Sequence, residues 1–251
     1  MDNKVKQLAE LILQSDNTVF FGGAGVSTES GIADFRSESG LYAALEVYGY
    51  SPEELLSYSL FKKNPKLFFS YYKNNLIAKD AKPNAAHKAL AELEKQGKLS
   101  AVITQNIDGL HQAAGSRNVI ELHGSNWRQY CLNCRVKYPL DYILNCAKYR
   151  DDVIPLCEKC EGIVRPDVVL YEEGLDDAVV TAAISAIESA ELMIVGGTSL
   201  AVYPAAGMLR YFGGDNLVLI NKSETPYDNT AKLIIRDAIG EVMSAVMEIL
   251  D

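Results

Sequence analysis

The run Thr18-Val19-Phe20-Phe21 ends abruptly in Gly22-Gly23-Ala24-Gly25. A short apolar run stopped by glycine reads as a buried strand, and glycine lets the backbone after it turn and approach a neighbour closely. Five further apolar runs repeat the signal: Ala101-Val102-Ile103-Thr104, Val119-Ile120-Glu121-Leu122, Leu192-Met193-Ile194-Val195, Leu217-Val218-Leu219-Ile220 and Leu233-Ile234-Ile235. Helical spacing lies between and before them, as at Val5, Leu8, Ala9, Leu11 and Ile12, from His87 to Gln96, and from Asp177 to Ser189. Strands alternating with helices predict an α/β fold, a doubly wound parallel sheet of Rossmann-like type. Polar loops at its strand ends are where such sheets bind ligands.

Two segments break the alternation. Residues 38–86 are rich in Tyr, Phe and Leu and punctuated by Pro52 and Pro65, which predicts a helical insertion. Residues 125–170 hold all five cysteines. Cys131-x2-Cys134 and Cys157-x2-Cys160 have metal-ligand spacing, and four thiolates complete a tetrahedral zinc shell with no open position. The zinc is therefore expected to be structural, and Cys146, which fits neither pair, a bystander. The parallel-sheet domain is expected from 1–37, 87–124 and 171–251, with 38–86 and 125–170 forming a smaller one. A net charge of −9 argues against a sequence-independent nucleic-acid binder. No apolar run approaches the roughly 20 residues that span a bilayer, and Met1-Asp2-Asn3-Lys4 does not open a signal peptide. A cytoplasmic protein is expected.

The strand-end loops carry the candidate chemistry. Gly23-Ala24-Gly25 resembles a dinucleotide fingerprint, with Thr28 where a third glycine is usual. Alone it fits a phosphate loop and a tight turn equally; a helix starting near Thr28 would aim its dipole at a phosphate. Gln105-Asn106-Ile107-Asp108 follows the Ala101 strand, with side chains able to bond a ribose or a carboxamide. Three histidines occur. His87 reads as ordinary helix surface, His111 as an orienting group, and His123, at a strand end beside Gly124, as the best-placed general base. Gly196-Gly197-Thr198-Ser199 and Asn221 follow two later strands.

Together these residues resemble the sirtuin family of NAD-dependent protein deacylases. The pieces stand in the family's order: Gly23-Ala24-Gly25-Val26-Ser27, Ser30-Gly31-Ile32, Asp34-Phe35-Arg36, Gln105-Asn106-Ile107-Asp108, His123-Gly124, the two cysteine pairs, Gly197-Thr198-Ser199-Leu200 with Val202 and Pro204, and Ile220-Asn221. The resemblance implies that NAD, consumed as co-substrate, and an acyl-lysine peptide meet between the two domains. It implies cofactor contacts from Gly23, Ala24, Gly25, Thr28, Gly197, Thr198, Ser199 and Asn221, with Ala238 or Ile239 at the adenine. Asp34, Phe35 and Arg36 would cover the cofactor. Gln105 would reach the ribose, and Asn106, Ile107 and Asp108 would line the nicotinamide pocket. Val168, Val169 and Tyr171 would hold the peptide and its acyl-lysine. The implied reaction has the acyl oxygen attack the ribose as nicotinamide leaves. His123, aided by Asn106, then acts as base through the ribose hydroxyls, and the acyl group passes to ADP-ribose.

Departures from the family pattern are Ala33 in place of proline, Ser37 in place of glycine, and Glu172 in place of glycine. Losing proline's fixed φ should loosen the loop before NAD binds. Glu172 cannot take glycine's left-handed backbone cheaply. Tyr72 and Asn75 stand where the desuccinylase branch has tyrosine and arginine, so neutral acyl groups are expected. Protein mono-ADP-ribosylation at the same NAD site, and a zinc-stapled NAD sensor without turnover, are the alternatives. A monomer is expected.

Overall fold

A computed structural model describes residues 2–33 and 38–250. In chain order the elements are α1 (Asp2–Gln14), β1 (Thr18–Gly22), α2 (Glu38–Tyr48), α3 (Pro52–Leu55), α4 (Tyr58–Lys63), α5 (Pro65–Asn75), α6 (Ala85–Lys95), β2 (Ala101–Thr104), α7 (Leu110–Ala114) and β3 (Val119–Glu121). Then follow β4 (Gly124–Cys131), β5 (Lys137–Pro139), α8 (Leu140–Leu144), β6 (Tyr149–Arg150), β7 (Ile154–Pro155) and β8 (Val164–Val168). The chain ends with α9 (Asp177–Ser189), β9 (Leu192–Gly196), β10 (Asn216–Ile220), β11 (Leu233–Ile235) and α10 (Ile239–Leu250).

The six expected strands form one sheet in the order β11-β10-β9-β1-β2-β3, every pair parallel. The chain first builds outward from β1 through β2 to β3. It then returns to the other side of β1 with β9. That reversal leaves a crevice at the carboxyl ends of β1 and β9, the switch point of a doubly wound sheet. One face of the sheet is covered by α1, α6 and α10, with Leu8, Ile12, Leu90, Leu93, Val242 and Val246 buried against Phe20 and Val102. The other is covered by α9 and the 3-10 turn Ala205–Tyr211, packed on Phe21, Ile103 and Val195. Each such fully buried side chain is worth about 1.5–3 kcal/mol, which is why near-continuous apolar strands hold this arrangement.

Helices α2 to α5 do form the insertion. Pro52 and Pro65 each stand in the first turn of a helix, capped by Ser51 and Asn64. Phe61, Phe68, Phe69 and Tyr72 make a third core with Ile143, Ile154, Val168 and Leu170, so the insertion packs on the cysteine-bearing segment. That segment is built on an antiparallel sheet, β5-β4-β8, and β4 begins directly after His123.

Two matching turns carry the cysteines. Arg135 N–H bonds to Cys131 O, and Glu161 N–H bonds to Cys157 O, each from a residue with φ near +60°. The four sulfurs lie within 4.8 Å of one another, with Cys131–Cys160 at 3.5 Å and Cys134–Cys157 at 3.6 Å. A tetrahedral zinc with bonds of about 2.3 Å sets its sulfurs about 3.8 Å apart, so the cage fits the ion. Burial opposes ionisation of Cys157, yet the Tyr138 hydroxyl at 3.0 Å and neighbouring N–H groups bring its thiol down to about 6. Cys160 is the counterpart. Although the Gly162 N–H works the other way, the sulfurs of Cys134 and Cys131 push it up to about 12. Thiolates this close ionise together only around a cation. Cys146 stays outside, its Sγ donating to Lys148 O at 2.9 Å.

His87 corrects the reading of it as helix surface: it is fully buried. Its ring lies 4.7 Å from that of His111, which is also buried and rests against Phe20. His87 Nδ1 accepts from Asn84 N–H, and the Asn84 amide donates to Val26 O and Ser30 Oγ, tying α6 to the glycine loop. The pattern of α6 missed this because histidine at an inward position is read as polar.

Two outcomes follow from this architecture. The protein is expected to carry one zinc per chain, measurable by metal analysis. Cys157→Ser should lose it, open residues 125–170 to protease, and leave the parallel sheet folded. A loss of ~3 kcal/mol corresponds to about 10 °C in Tm. Burial lowers His87 to about 4 and His111 to about 3. Both are bases with depressed folded values, so the unfolded chain takes up protons first, from about pH 6.5 downward. Stability is therefore full above that value and falls as pH drops toward 4, by at most ~1.4 kcal/mol per pH unit for each histidine. Urea titrations at pH 7 and pH 5 should show the loss, and His111→Leu should reduce it.

Candidate active site

The two glycine loops meet at the switch point. Gly25 N–H bonds to Gly197 O at 2.8 Å and Gly23 N–H to Gly196 O at 3.3 Å. A Cβ on Gly25 would lie 2.8 Å from the Gly197 Cα, and one on Gly23 2.8 Å from the Thr198 Cβ. The glycines are thus required by loop-to-loop contact, and these two N–H groups are not offered to a phosphate. No α-helix begins at Thr28. Instead two 3-10 turns, Ala24–Val26 and Thr28–Ser30, follow β1, because Gly31 leaves in the left-handed region at φ +82°. Ala24, first in its turn, has an N–H the turn cannot satisfy, and it lines the cleft.

Opposite the glycines, the loop after β2 forms a closed polar network. The Asn106 amide donates to Gly23 O and to Ser27 Oγ, both at 3.0 Å. Ser27 Oγ donates to Asp108 Oδ2 at 2.6 Å, while Asp108 Oδ1 accepts the Leu110 N–H. Both Asn106 N–H groups are engaged, so its carbonyl end is the polar atom left for a ligand. The indole of Trp127, on β4, donates to Asp108 O at 2.6 Å and brings its Cδ1 and Nε1 close against Gly109. Gln105 Nε2 reaches Thr198 Oγ1 at 3.1 Å across the crevice.

His123 lies 2.9 Å from Gln105 O through Nδ1. A carbonyl only accepts, so Nδ1 carries a proton, and in the neutral ring Nε2 is the basic nitrogen. The bond selects one tautomer of the neutral ring. Gly124 makes its position possible. Its φ is +76°, and a Cβ there would run into the Asp167 carbonyl, so no side chain fits between β4 and β8.

The far wall comes from the segment after β8. Val168, Val169 and Tyr171 line the same cleft as His123, Asn106, Ile107 and Asp108. Val169 N–H bonds to His123 O, and Tyr171 pairs with Leu56 and Tyr58 of the insertion. The turn is pinned by an ion pair between buried Arg165 and partly exposed Glu173, joined bidentately at 2.7 and 2.9 Å. Against burial, which raises it, Arg165 holds the Glu173 carboxyl below its usual range. Glu172 does adopt the left-handed conformation, at φ +77°. Its carboxylate accepts from Ser59 N–H at 2.9 Å and Ser59 Oγ at 2.6 Å, which offsets the strain.

Other expected contacts are spread around this centre. Ser199 is exposed beside Thr198, and Asn221 follows β10 with its amide on Ser223 O. Thr28 is exposed, with its hydroxyl on Gly25 O. Ala238 is half-buried, but the Ile239 side chain is buried in the core against Gly196, leaving only its backbone for a ligand. Asp34, Phe35, Arg36 and Ser37 lie outside the described residues, and with them the expected looseness of that loop. Ser27, Asn126 and Trp127 were not anticipated. Ser27 had a signal in its place inside the glycine motif; Asn126 and Trp127 follow His123 on a strand whose bulge, between Ser125 and Gln129, alternation does not reveal.

The donor set fits NAD. A glycine-built crevice stands at the switch point, and amides and a carboxylate suited to a ribose and a carboxamide stand beside it. Known proteins agree. The model of the Sir2 family matches residues 23–204. An NAD-dependent protein deacetylase of Clostridium acetobutylicum is 55% identical over 98% of each chain. A solved Sir2 bound to a p53 peptide and NAD+ superposes with a TM-score of 0.87 at 40% identity over 98% of each chain. A Sir2Tm structure with a propionylated peptide gives 0.85 at 39% identity over 98% of each chain. Sequence, switch-point cleft and cysteine cage together place this chain in the Sir2 family.

Proposed function

We propose that this chain removes acetyl and other neutral acyl groups from protein lysines, consuming NAD and giving nicotinamide, O-acyl-ADP-ribose and free lysine. The observation that carries the reading is the His123–Gln105 bond, which makes Nε2 the basic nitrogen of the neutral ring, in the cleft shared with Asn106 and Asp108. NAD supplies an activated ribose–nicotinamide bond and the hydroxyls through which the acyl group is accepted. Ala24, Thr198, Ser199 and Gln105 would hold its phosphates and ribose, with Gly23, Gly25 and Gly197 shaping the loops and Thr28, Asn221, Ala238 and Ile239 nearby. Asp34, Phe35 and Arg36 would complete that side. Ile107 and Asp108 would orient the carboxamide, and Asn106 would present its carbonyl. His123 Nε2 would take the proton from the ribose hydroxyl relay, a role worth ~10²–10⁴-fold in rate. Val168, Val169 and Tyr171 would hold the acyl-lysine. Four cysteine ligands leave zinc no open position, so it would act only on the fold.

The division into a sheet domain (1–37, 87–124, 171–251) and a smaller one (38–86 with 125–170) is part of the proposal, as is a monomer. The preference for neutral acyl groups is supported by the lining itself: among the described residues no Lys or Arg faces the cleft. The Asn75 amide is turned to Tyr48 and Tyr71 O. A buried carboxylate would lack a partner.

The decisive assay is NAD-dependent release of acetyl from a lysine peptide, with O-acetyl-ADP-ribose identified by mass spectrometry. A modified target protein in place of those products would favour ADP-ribosylation. His123→Ala is expected to cut kcat by ~10²–10⁴-fold, with NAD binding measured by calorimetry kept. Trp127→Phe removes the bond to Asp108 O but spares the site. It should raise KM for NAD and weaken nicotinamide inhibition by up to about fivefold, with the peptide KM little changed.

A further inference from the structure

The apolar limb of the cleft holds a polar group that the chemistry above does not use. Leu56, Leu76, Ile107, Val168 and Leu170 line this limb, and Asn126 stands among them, only 4% exposed. Its Oδ1 accepts the Tyr72 hydroxyl at 2.8 Å, and its Nδ2 donates to Leu76 O at 2.7 Å. Burial pushes the Tyr72 phenol well above its ordinary range, so it remains a donor. A permanent donor on one side and a carbonyl on the other fix which end of the amide is oxygen and which is nitrogen. The backbone is held as well: Asn126 N–H bonds to Ile107 O, and Gln129 Nε2 bonds to Asn126 O. A primary amide has two N–H donors and two strong acceptor positions. Tyr72 and Leu76 engage one of each.

We infer that Asn126 makes this limb a hydrogen-bonding acyl site, which selects short acyl groups carrying a hydroxyl on carbon 3 over alkyl chains of equal length. The inference rests on the deacylase reading. A plain alkyl chain would strip water from the remaining N–H and lone pair and return nothing. A hydroxyl is donor and acceptor at once and meets both. A site built to bond a hydroxyl rejects the analogue lacking it more strongly than an apolar pocket rejects an added hydroxyl. A residue held at two points on its amide and two on its backbone also presents its free positions in one direction, so the two mirror-image hydroxyacyl groups are not equivalent to it.

The test compares kcat/KM for removal of (R)-3-hydroxybutyryl, (S)-3-hydroxybutyryl and butyryl groups from one peptide with NAD. One enantiomer is expected to exceed butyryl by about tenfold. In Asn126→Leu that advantage should vanish and the enantiomers converge. The single variant leaves the Tyr72 hydroxyl without its acceptor, so Tyr72→Phe/Asn126→Leu is measured beside it and should behave alike. The inference is overturned if wild type removes butyryl at least as fast as both hydroxyacyl groups, or if enantiomer preference survives in both variants. If wild type releases no acyl group at all, acetyl included, the deacylase reading itself falls, and the inference with it.

Discussion

Everything in this molecule that bears on chemistry depends on how closely the carboxyl ends of β1 and β9 approach. The two strands are neighbours at the centre of the sheet, and the chain leaves both through glycine. Gly25 and Gly197 touch backbone to backbone, with a hydrogen bond of 2.8 Å between them. Side chains at these positions would force the loops apart by more than a van der Waals contact allows. The loop after β1 would then shift against β2. Asn106 reaches Gly23 O and Ser27 Oγ from that strand end, and Ser27 in turn holds Asp108. A displacement of about 1 Å would break these bonds, and reaction geometry tolerates little more. Loop contact, polar network and catalytic geometry are therefore one constraint.

The second half of the site reaches the sheet through β4. His123 closes β3's loop and opens β4, and its ring is bonded to the loop after β2. Three residues on, Asn126 bonds to Ile107 O and Trp127 to Asp108 O. The smaller sheet thus holds the Gln105–Asp108 loop along its length. The zinc cage stands at the far end of the same strand, on Cys131. A structural ion some distance from the cleft influences it through a continuous strand, by rigidity rather than by charge.

The sheet was legible because its strands are buried on both faces and so read as unbroken apolar runs. The helical insertion and the cysteine pairs were legible from punctuation and spacing. What escaped reading depended on contacts between distant segments. His87 looked polar on a helix, but its partners are His111 and Asn84 inside the core. Gly23 and Gly25 looked like phosphate donors, but their N–H groups face Gly196 and Gly197. Asn126 and Trp127 acquire roles only because a bulge in β4 turns them toward the cleft loop and the insertion. In each case residue type was informative and partner identity was not.

Glu172 illustrates how a departure from a family pattern is absorbed. A non-glycine residue at positive φ costs about 1–2 kcal/mol. A carboxylate accepting an N–H and a hydroxyl from Ser59 recovers an amount of that order, because charge-assisted bonds are stronger than neutral ones. Glycine at this position would remove the strain and the bonds together, so the two residues are near-equivalent for stability. They are not equivalent for geometry. Glu172 ties the wall of the cleft to α4, and Arg165 and Glu173 tie it to β8. The segment carrying Val169 and Tyr171 is consequently fixed at both ends before any peptide arrives. A peptide strand pairing there, as proposed, would lose its own freedom but would not also have to order the wall, and the affinity retained would be larger by that difference.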